Sequence, residues 1–424
     1  MTALRAKEFR RLWLAGLVSD TGDWLLLVSL PILIFQRTGS TLGTAYAFLI
    51  ELAPYILLAP VAGVLADRLD RRRLLIGLSL AQAAALVPLL LSPRLPVVFT
   101  VIAVEAALAA LFDPAKNALL PTLVGPDDLV SANSLVGLNQ NLGRLVGAPL
   151  GGLLLAIGDL RAIVAADAAS FLLAVVLIAG VRVAAATASA PSPPAADRPA
   201  GRPFTRRTVS VGLLVTGVAS VAQGVFVVLY VVFVARVLHG DAAETGLLRG
   251  VQAIGAIGGG LLLAVTARIR PARLVGLSCL VFGLVALATW NAPRLTTAVP
   301  LYVALFVLAG VPGVAMMAGM VTVLQQSTVD GERGKVFAAL GMVSAAGQAI
   351  GMVGAGLLGD RLGTVTVLNG QAGMYLLAGF LALAFLADGA PATGAAVPAQ
   401  AGEVNGRPGS GQDGSARTRT SSPA

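Results

Sequence analysis

The sequence predicts an all-α integral membrane protein with twelve transmembrane helices in two pseudo-symmetric six-helix bundles. Of its 424 residues, 57% are hydrophobic and 12% are charged, whereas soluble domains carry about 25% charged residues. The apolar residues fall in repeated stretches of about 20 residues, the length of helix that crosses the hydrocarbon core of a bilayer. Lipid is therefore the solvent for most of the chain.

Twelve apolar stretches occur, in two sets of six. The first set covers residues 12–35, 44–66, 74–92, 97–115, 131–157 and 161–181, and the second covers 208–235, 244–267, 273–291, 298–324, 336–358 and 362–386. The intervening segment is rich in Ala, Pro and Ser, which is typical of a flexible linker. We predict an N-terminal bundle (1–182), a cytoplasmic linker (183–207), a C-terminal bundle (208–387) and a disordered cytoplasmic tail (388–424).

Basic residues in the loops predict the orientation of the chain. With the N-terminus in the cytoplasm, nineteen Lys and Arg residues before the tail fall on the cytoplasmic side and six on the outer side. Cytoplasmic loops of membrane proteins carry such an excess. The sequence therefore predicts a multi-pass protein of the cell membrane with both termini cytoplasmic. The net charge of +9 then reflects topology, and no nucleic-acid partner is expected.

Residue types that carry enzyme chemistry are scarce. The chain has one cysteine, Cys279, inside an apolar stretch, and one histidine, His239, in a loop. Disulfides and metal sites built from Cys or His are therefore excluded. The sequence also lacks the glycine-rich loop that holds nucleotide phosphates. We expect no enzymatic activity, no metal and no cofactor.

The loop between the second and third spans carries the strongest motif, GVLADRLDRRR at residues 63–73. It resembles the loop signature of the major facilitator superfamily, with Asp70 in place of the usual second glycine. The resemblance implies a cytoplasmic gating latch formed by Gly63, Asp67, Arg68, Arg71 and Arg72. In this latch Asp67 caps the N-terminal end of the eleventh helix in the outward-open state, and Asp113 pairs with Arg71. A loop that only sets topology is the alternative, but it explains the arginines and not Gly63 or Asp67.

Further segments narrow the branch of the family. Residues 9–24 (FRRLWLAGLVSDTGDW), 117–121 (NALLP) and 143–149 (GRLVGAP) resemble macrolide-efflux and enterobactin-exporter proteins of the drug–proton antiporter branch. The resemblance implies the major facilitator fold and a monomer that exports an amphipathic small molecule by proton-coupled alternating access. A siderophore or metabolite exporter, or an importer of the same fold, is an alternative within transport. A membrane sensor or scaffold is the alternative from another class.

Four ionisable residues lie near mid-membrane in the predicted spans. Asp20 and Asp23 share one face of the first helix, and Glu105 and Arg144 lie at the middle of the fourth and fifth helices. Each costs at least about 2.5–3.5 kcal/mol to insert, so each needs a function or a partner. We predict that these four residues couple to protons or bind substrate. Glu105 and Arg144 form either a structural ion pair or part of the coupling site.

Three other charged residues lie nearer the outer face in the predicted spans. Glu51, Asp167 and Arg249 are therefore interpreted as residues of the rim. The fifth span also carries a ladder of glycines, at residues 143, 147 and 151, and the eighth span carries glycines at 255 and 259. Small residues spaced by four allow helices in lipid to approach closely. We predict that these two ladders face each other where the bundles meet.

Overall fold

The computed structural model describes residues 2–125, 128–182, 207–265 and 269–386. Except for Arg207, the predicted linker (183–207) lies outside the described residues, and so does the predicted tail (388–424). Within the described ranges the chain forms helices joined by short turns, with no strand. The prediction of an all-α protein is confirmed.

Fourteen α-helices occur in the described part of the chain. The first half contains α1 (Lys7–Thr38), α2 (Thr41–Leu57), α3 (Ala59–Arg68), α4 (Arg71–Ala85), α5 (Val87–Leu91), α6 (Leu95–Leu119), α7 (Leu129–Ala156) and α8 (Leu160–Ala179). The second half contains α9 (Arg207–Arg236), α10 (Ala242–Val265), α11 (Pro271–Asn291), α12 (Val299–Gln326), α13 (Asp330–Leu362) and α14 (Thr364–Phe385).

The number of membrane spans is consistent with twelve. In the described ranges, ten segments are long and apolar enough to cross a bilayer, and α2 with α3 makes an eleventh, bent by 52°. The remaining long helix is α7, with 28 residues. The bend follows from Pro60 at the start of α3, because proline has no N–H to donate to the preceding turn. Pro88 at the start of α5 divides the third span in the same way.

Each half is a separate bundle, and the two bundles meet along two seams. In the first half α1 packs on α7 and α8, while α6 packs on α2, α3 and α4. In the second half α9 packs on α13 and α14, and α11 packs on α12 and α14. The seams are formed by α7 against α10 and by α2 against α13. Two pseudo-symmetric bundles that meet at the fifth and eighth spans and at the second and eleventh agree with the major facilitator fold.

The glycine ladder of α7 does not face α10, so that prediction is wrong. A Cβ added at Gly143 would lie 2.8 Å from the carbonyl carbon of Asp20, and one at Gly151 would lie 2.6 Å from the carbonyl oxygen of Leu25. Both neighbours belong to α1, within the same bundle. The four-residue rhythm marks one close-packed face of α7, but it does not identify the helix that covers this face.

The α7–α10 seam uses a different pair of glycines. A Cβ added at Gly152 would lie 2.8 Å from the Cα of Gly246, and the reverse distance is 2.9 Å. The glycines of α10 that were predicted to face α7 pack on α12 instead, where a Cβ at Gly259 would lie 2.9 Å from the Cα of Val311. Residues one position apart on a helix point about 100° apart, so Gly151 and Gly152 serve two different partners.

The molecule has two unlike ends. At the end that holds the α3–α4 loop (residues 69–70), which we call the basic end, Arg71 donates a hydrogen bond to the carbonyl oxygen of Ala118 over 2.9 Å. Arg72 donates to the carbonyl oxygen of Ile178 over 3.3 Å. These bonds tie α4 to α6 and α8, so they hold the first half together and do not reach the second half.

At the opposite end, side chains join the two halves. Arg236 of α9 forms an ion pair with Asp360 of α13, with 2.6 Å between Nη1 and Oδ1. Arg236 Nη2 also donates to the carbonyl oxygen of Gly39 over 2.5 Å, and Thr41 Oγ1 donates to Asp360 Oδ1 over 2.7 Å. Gly39 has a φ of +61°, the left-handed conformation that glycine adopts without strain. We call Arg236, Asp360, Thr41 and Gly39 the clasp.

The close contacts between the halves lie on the side of the clasp. A Cβ added at Gly356 of α13 would lie 2.9 Å from the side chain of Ala45 on α2, and one at Gly359 would lie 3.0 Å from that of Thr41. At Gly63 of α3, nearer the basic end, an added Cβ would meet no heavy atom within 4 Å. The close contacts of the α2–α13 seam described above therefore lie at the opposite end, and Gly63 adds none.

Candidate functional site

Three adjoining cavities lie at the centre of the molecule. The acidic cavity, of about 150 Å³, contains Asp23, Glu51, Gln82, Glu105 and Asp167 in its lining. The interhalf cavity, of about 240 Å³, is lined by both halves. The basic-end cavity, of about 250 Å³, contains Asp20, Asp113 and Lys116 in its lining. Leu27 and Tyr55 line all three, so the cavities adjoin one another.

The acidic cavity depends on a close approach of α1 and α8. A Cβ at Gly22 of α1 would collide with Asp167 Oδ1 and Ser170 Oγ of α8. The hydroxyl of Ser170 donates to the carbonyl oxygen of Asp167 over 2.8 Å and lies 3.3 Å from its Oδ1. Asp167 is fully buried, and its Oδ2 has no hydrogen-bond partner among the described residues. Glycine at position 22 therefore lets α8 bring a buried carboxyl group to the cavity that Asp23 lines.

Glu105 enters the same cavity from α6. Its Oε1 is buried and has no hydrogen-bond partner among the described residues, and Gln82 of α4 lines the cavity beside it. The predicted ion pair with Arg144 is absent. Arg144 instead donates to Asn141 Oδ1 over 3.1 Å, and its guanidinium lies 5.8 Å from the ring centroid of Trp24.

The reason for this error lies in the helix packing. α6 contacts α2, α3 and α4, whereas α7 contacts α1 and α10. Although Glu105 and Arg144 lie at equal depth on consecutive spans, they do not meet, because their helices pack on different neighbours. The structure instead brings the carboxyl groups of Asp23, Glu51, Glu105 and Asp167 to the lining of one cavity.

The basic-end cavity contains the next cluster of charges, which includes Asp20. Lys116 Nζ lies 3.1 Å from Asp113 Oδ1, one turn away on α6, and Asp20 lines the same cavity. The predicted pair of Asp113 with Arg71 is therefore wrong in this state. Residues three apart on one helix are neighbours on its surface, so Lys116 reaches Asp113 more easily than Arg71 does from another helix.

The remaining residues of the predicted latch lie at the open side of α3. Asp67 and Arg68 are exposed, and a Cβ added at Gly63 would meet no heavy atom within 4 Å. Asp70 has a role of its own: its Oδ1 accepts a hydrogen bond from the backbone N–H of Arg73 over 2.7 Å. Asp is among the best residues for capping a helix N-terminus, so Asp70 begins α4 where the family signature has glycine.

Three residues interpreted as rim residues line the central space instead. Asp167 and Glu51 line the acidic cavity, and Glu51 and Arg249 line the interhalf cavity. The guanidinium of Arg249 lies 5.6 Å from the ring centroid of Trp24 and 5.4 Å from that of Phe226. The signal in the sequence was the charge itself, which is rare in a spanning helix. Distance from the end of a span gives depth, but not the direction in which a side chain points.

Comparison with known proteins places the chain in a family. The profile of the family described as transmembrane secretion effector matches residues 1–397. The multidrug efflux pump Tap of Mycolicibacterium fortuitum is 26% identical over 388 residues, covering 82% of this chain and 88% of that protein. Macrolide efflux protein A of Streptococcus pyogenes is 30% identical over 181 residues, covering 42% of this chain and 45% of that protein.

A solved structure supports the fold. A bacterial homologue of the iron transporter ferroportin, captured in an inward-facing state, superposes with a TM-score of 0.68 at 18% identity, covering 90% of this chain and 98% of that one. The fold, the membrane spans and the sequence relatives agree with one another. The chain belongs to the transmembrane secretion effector family of the major facilitator superfamily, a family of multi-pass membrane transporters.

Proposed function

We propose that this protein exports an amphipathic small molecule in exchange for protons by alternating access. The observation that carries the proposal is the set of adjoining central cavities, which combine apolar walls with buried or partly buried carboxyl groups that form no ion pair with a described residue. The names of two relatives, a multidrug pump and a macrolide efflux protein, favour export of drug-like molecules.

Orientation follows from the loop charges. Placing the basic end in the cytoplasm satisfies the positive-inside rule and puts both termini there. The clasp then closes the outer side, and the molecule is in an inward-facing state, the state that the ferroportin homologue also shows. In this state the latch is released, in keeping with the exposure of Asp67. On closure of the basic end, Asp67 would approach the N-terminal end of α13, which favours a negative charge.

Proton coupling is assigned to the carboxyl groups of the first half. An isolated ionised carboxylate is costly to bury, and a bound proton removes this cost. Asp23, Glu105 and Asp167 line one cavity and have no described basic side chain in an ion pair with them. A proton would bind there from the outside, cross as the halves rock, and leave to the cytoplasm, with Asp20 on its path. Arg144, whose guanidinium lies 5.8 Å from the ring centroid of Trp24, is assigned to substrate binding.

A substrate panel in a host that lacks its own efflux pumps tests the export of drugs. We expect expression to lower the accumulation of at least one amphipathic dye or antibiotic, and a protonophore to restore accumulation. Asp23→Asn should abolish the effect at unchanged membrane abundance. The matched control is Asp159→Asn, at the exposed N-cap of α8, because Asn caps a helix as well as Asp does. Export that persists in the presence of the protonophore would contradict proton coupling.

A further inference from the structure

Arg249 is isolated within its half. Among the described residues of the second half it is the one Asp, Glu, Lys, Arg or His that lies well inside a helix. All others fall near helix ends or in loops. It is the eighth residue of α10, and at about 1.5 Å per residue it lies roughly 10 Å from the start of the helix. A charge at that depth needs a partner or a function.

No carboxylate of a described residue forms an ion pair with Arg249. The only hydrogen bond recorded for its guanidinium joins Nη1 to Gln252 Oε1 over 3.0 Å, and it forms no ion pair with a described residue. An arginine side chain offers five N–H donors. Glu51 lines the same cavity but forms no ion pair with Arg249, so donors of Arg249 remain available to a ligand.

A second arginine approaches the same aromatic ring. The guanidinium groups of Arg144 and Arg249 lie 5.8 Å and 5.6 Å from the centroid of Trp24. Arg144 comes from the first half and Arg249 from the second. The ring attracts each cation, but two like charges near one ring repel each other. An anion placed between them would offset this repulsion.

The cavity beside Arg249 has the mixed polar and apolar lining expected of a site for an amphipathic molecule. Its polar lining contains Arg249, Glu51, Tyr55, Gln223, Tyr230 and Gln348, and the rest is apolar, with residues such as Leu27, Phe48, Val227, Val231 and Met352. Both halves contribute to it. A few polar groups among apolar walls are the usual composition of a small-molecule site.

We propose that Arg249, assisted by Arg144 and Trp24, binds an anionic group of the transported molecule: a carboxylate, sulfonate or phosphate. The apolar part of that molecule lies against the walls of the interhalf cavity. This inference rests on the proposed function and narrows it to amphipathic organic anions or to molecules with one acidic group. Because the two arginines belong to different halves, the bound anion also bridges the α7–α10 seam.

Matched probes separate charge from hydrophobicity. The full chain in nanodiscs of zwitterionic lipid is titrated calorimetrically with 2-naphthalenesulfonate, 2-naphthoate, neutral 2-naphthol and 2-naphthylmethylammonium, against empty nanodiscs. We expect both anions to bind more tightly than the ammonium probe. Arg249→Gln should weaken both anions by at least about tenfold, the scale of one charge-assisted hydrogen bond, and leave 2-naphthol unchanged. The control is Arg294→Gln, an exposed arginine just after the end of α11 and outside the cavity.

The order of the probe affinities in the wild type tests anion binding even if Arg249→Gln does not fold. Arg249→Lys supplies a second variant, which keeps the charge but loses the planar fork, and we expect it to bind the anions with intermediate affinity. Anionic probes that bind no better than the ammonium probe, or that are insensitive to both substitutions, would overturn the inference. Such a result together with proton-driven export would leave the proposed function standing. Anion binding without proton-driven export would contradict the proposed function and leave this site in place.

Discussion

Gly22 fixes the distance between α1 and α8, and with it the position of Asp167. The collision of a Cβ at residue 22 with Asp167 and Ser170 predicts that Gly22→Ala lowers stability by about 1–3 kcal/mol, the usual cost of overpacking. Thermal unfolding can be followed with a thiol-reactive fluorogenic dye, because Cys279 is buried and is the one cysteine of the chain. Gly77→Ala is the control, since its Cβ would meet no heavy atom within 4 Å. Equal melting temperatures for wild type and Gly22→Ala would show that α8 can move away to accommodate the added methyl group.

Glu105 and Arg144 supply a second test at this scale. Because their helices have different neighbours, we predict that the effects of Glu105→Gln and Arg144→Gln on unfolding add to within about 0.3–0.5 kcal/mol, as for independent sites. The two single variants and the double variant are compared by thermal and denaturant unfolding. A coupling energy well above that range would mean that the two side chains pair in the native state after all.

The clasp acts at the scale of the elements, because it joins α9 and α13 to the α1–α2 loop. Both Arg236 and Asp360 are partly exposed, and such a pair contributes only about 0.2–1 kcal/mol, too little to decide whether the protein folds. It is enough to shift the balance between two conformations of similar energy. We predict that Asp360→Asn moves the population towards a form that is open at the opposite end.

Spin labels measure this shift directly. With Cys279 replaced by serine, labels at positions 94 and 294, two exposed loop residues of different halves, report the width of the opposite end. Asp360→Asn should lengthen the distance distribution, whereas Asp159→Asn, at an exposed helix cap, should not. An unchanged distribution in Asp360→Asn would show that the glycine seam alone holds this end closed.

At the same scale, the sequence predicted where the spans lie but not how they pair. The length of an apolar stretch identifies a span, because the thickness of the bilayer sets how many apolar residues are needed to cross it. Pairing depends on which face of a helix meets which partner. Gly151 and Gly152 are adjacent yet serve α1 and α10, and no periodicity distinguishes them. Asp167 and Arg249 were assigned to the rim for the same reason, since their helices turn them towards the central cavities.

For the whole molecule, the proposed orientation places residues 183–206 in the cytoplasm. A reporter enzyme that is active only in the cytoplasm, inserted at position 190, should give signal, and one that is active only outside should give none. Insertions at position 158, in the α7–α8 turn, should give the reverse pattern. A signal from outside at position 190 would contradict the two-by-six topology and the assignment of the basic end to the cytoplasm.

The central claim is that protons held by the carboxyl groups of the first half drive export through the space between the halves. Purified protein in proteoliposomes with an imposed pH gradient tests it, with the dye or antibiotic that the panel identifies as cargo. We predict that wild type and Asp159→Asn move cargo up its own concentration gradient, in the direction opposite to proton flow. This movement should be lost in Asp23→Asn, Glu105→Gln and Asp167→Asn at equal reconstitution. Uphill transport that persists in all three carboxyl variants, or that ignores the direction of the gradient, would contradict the claim.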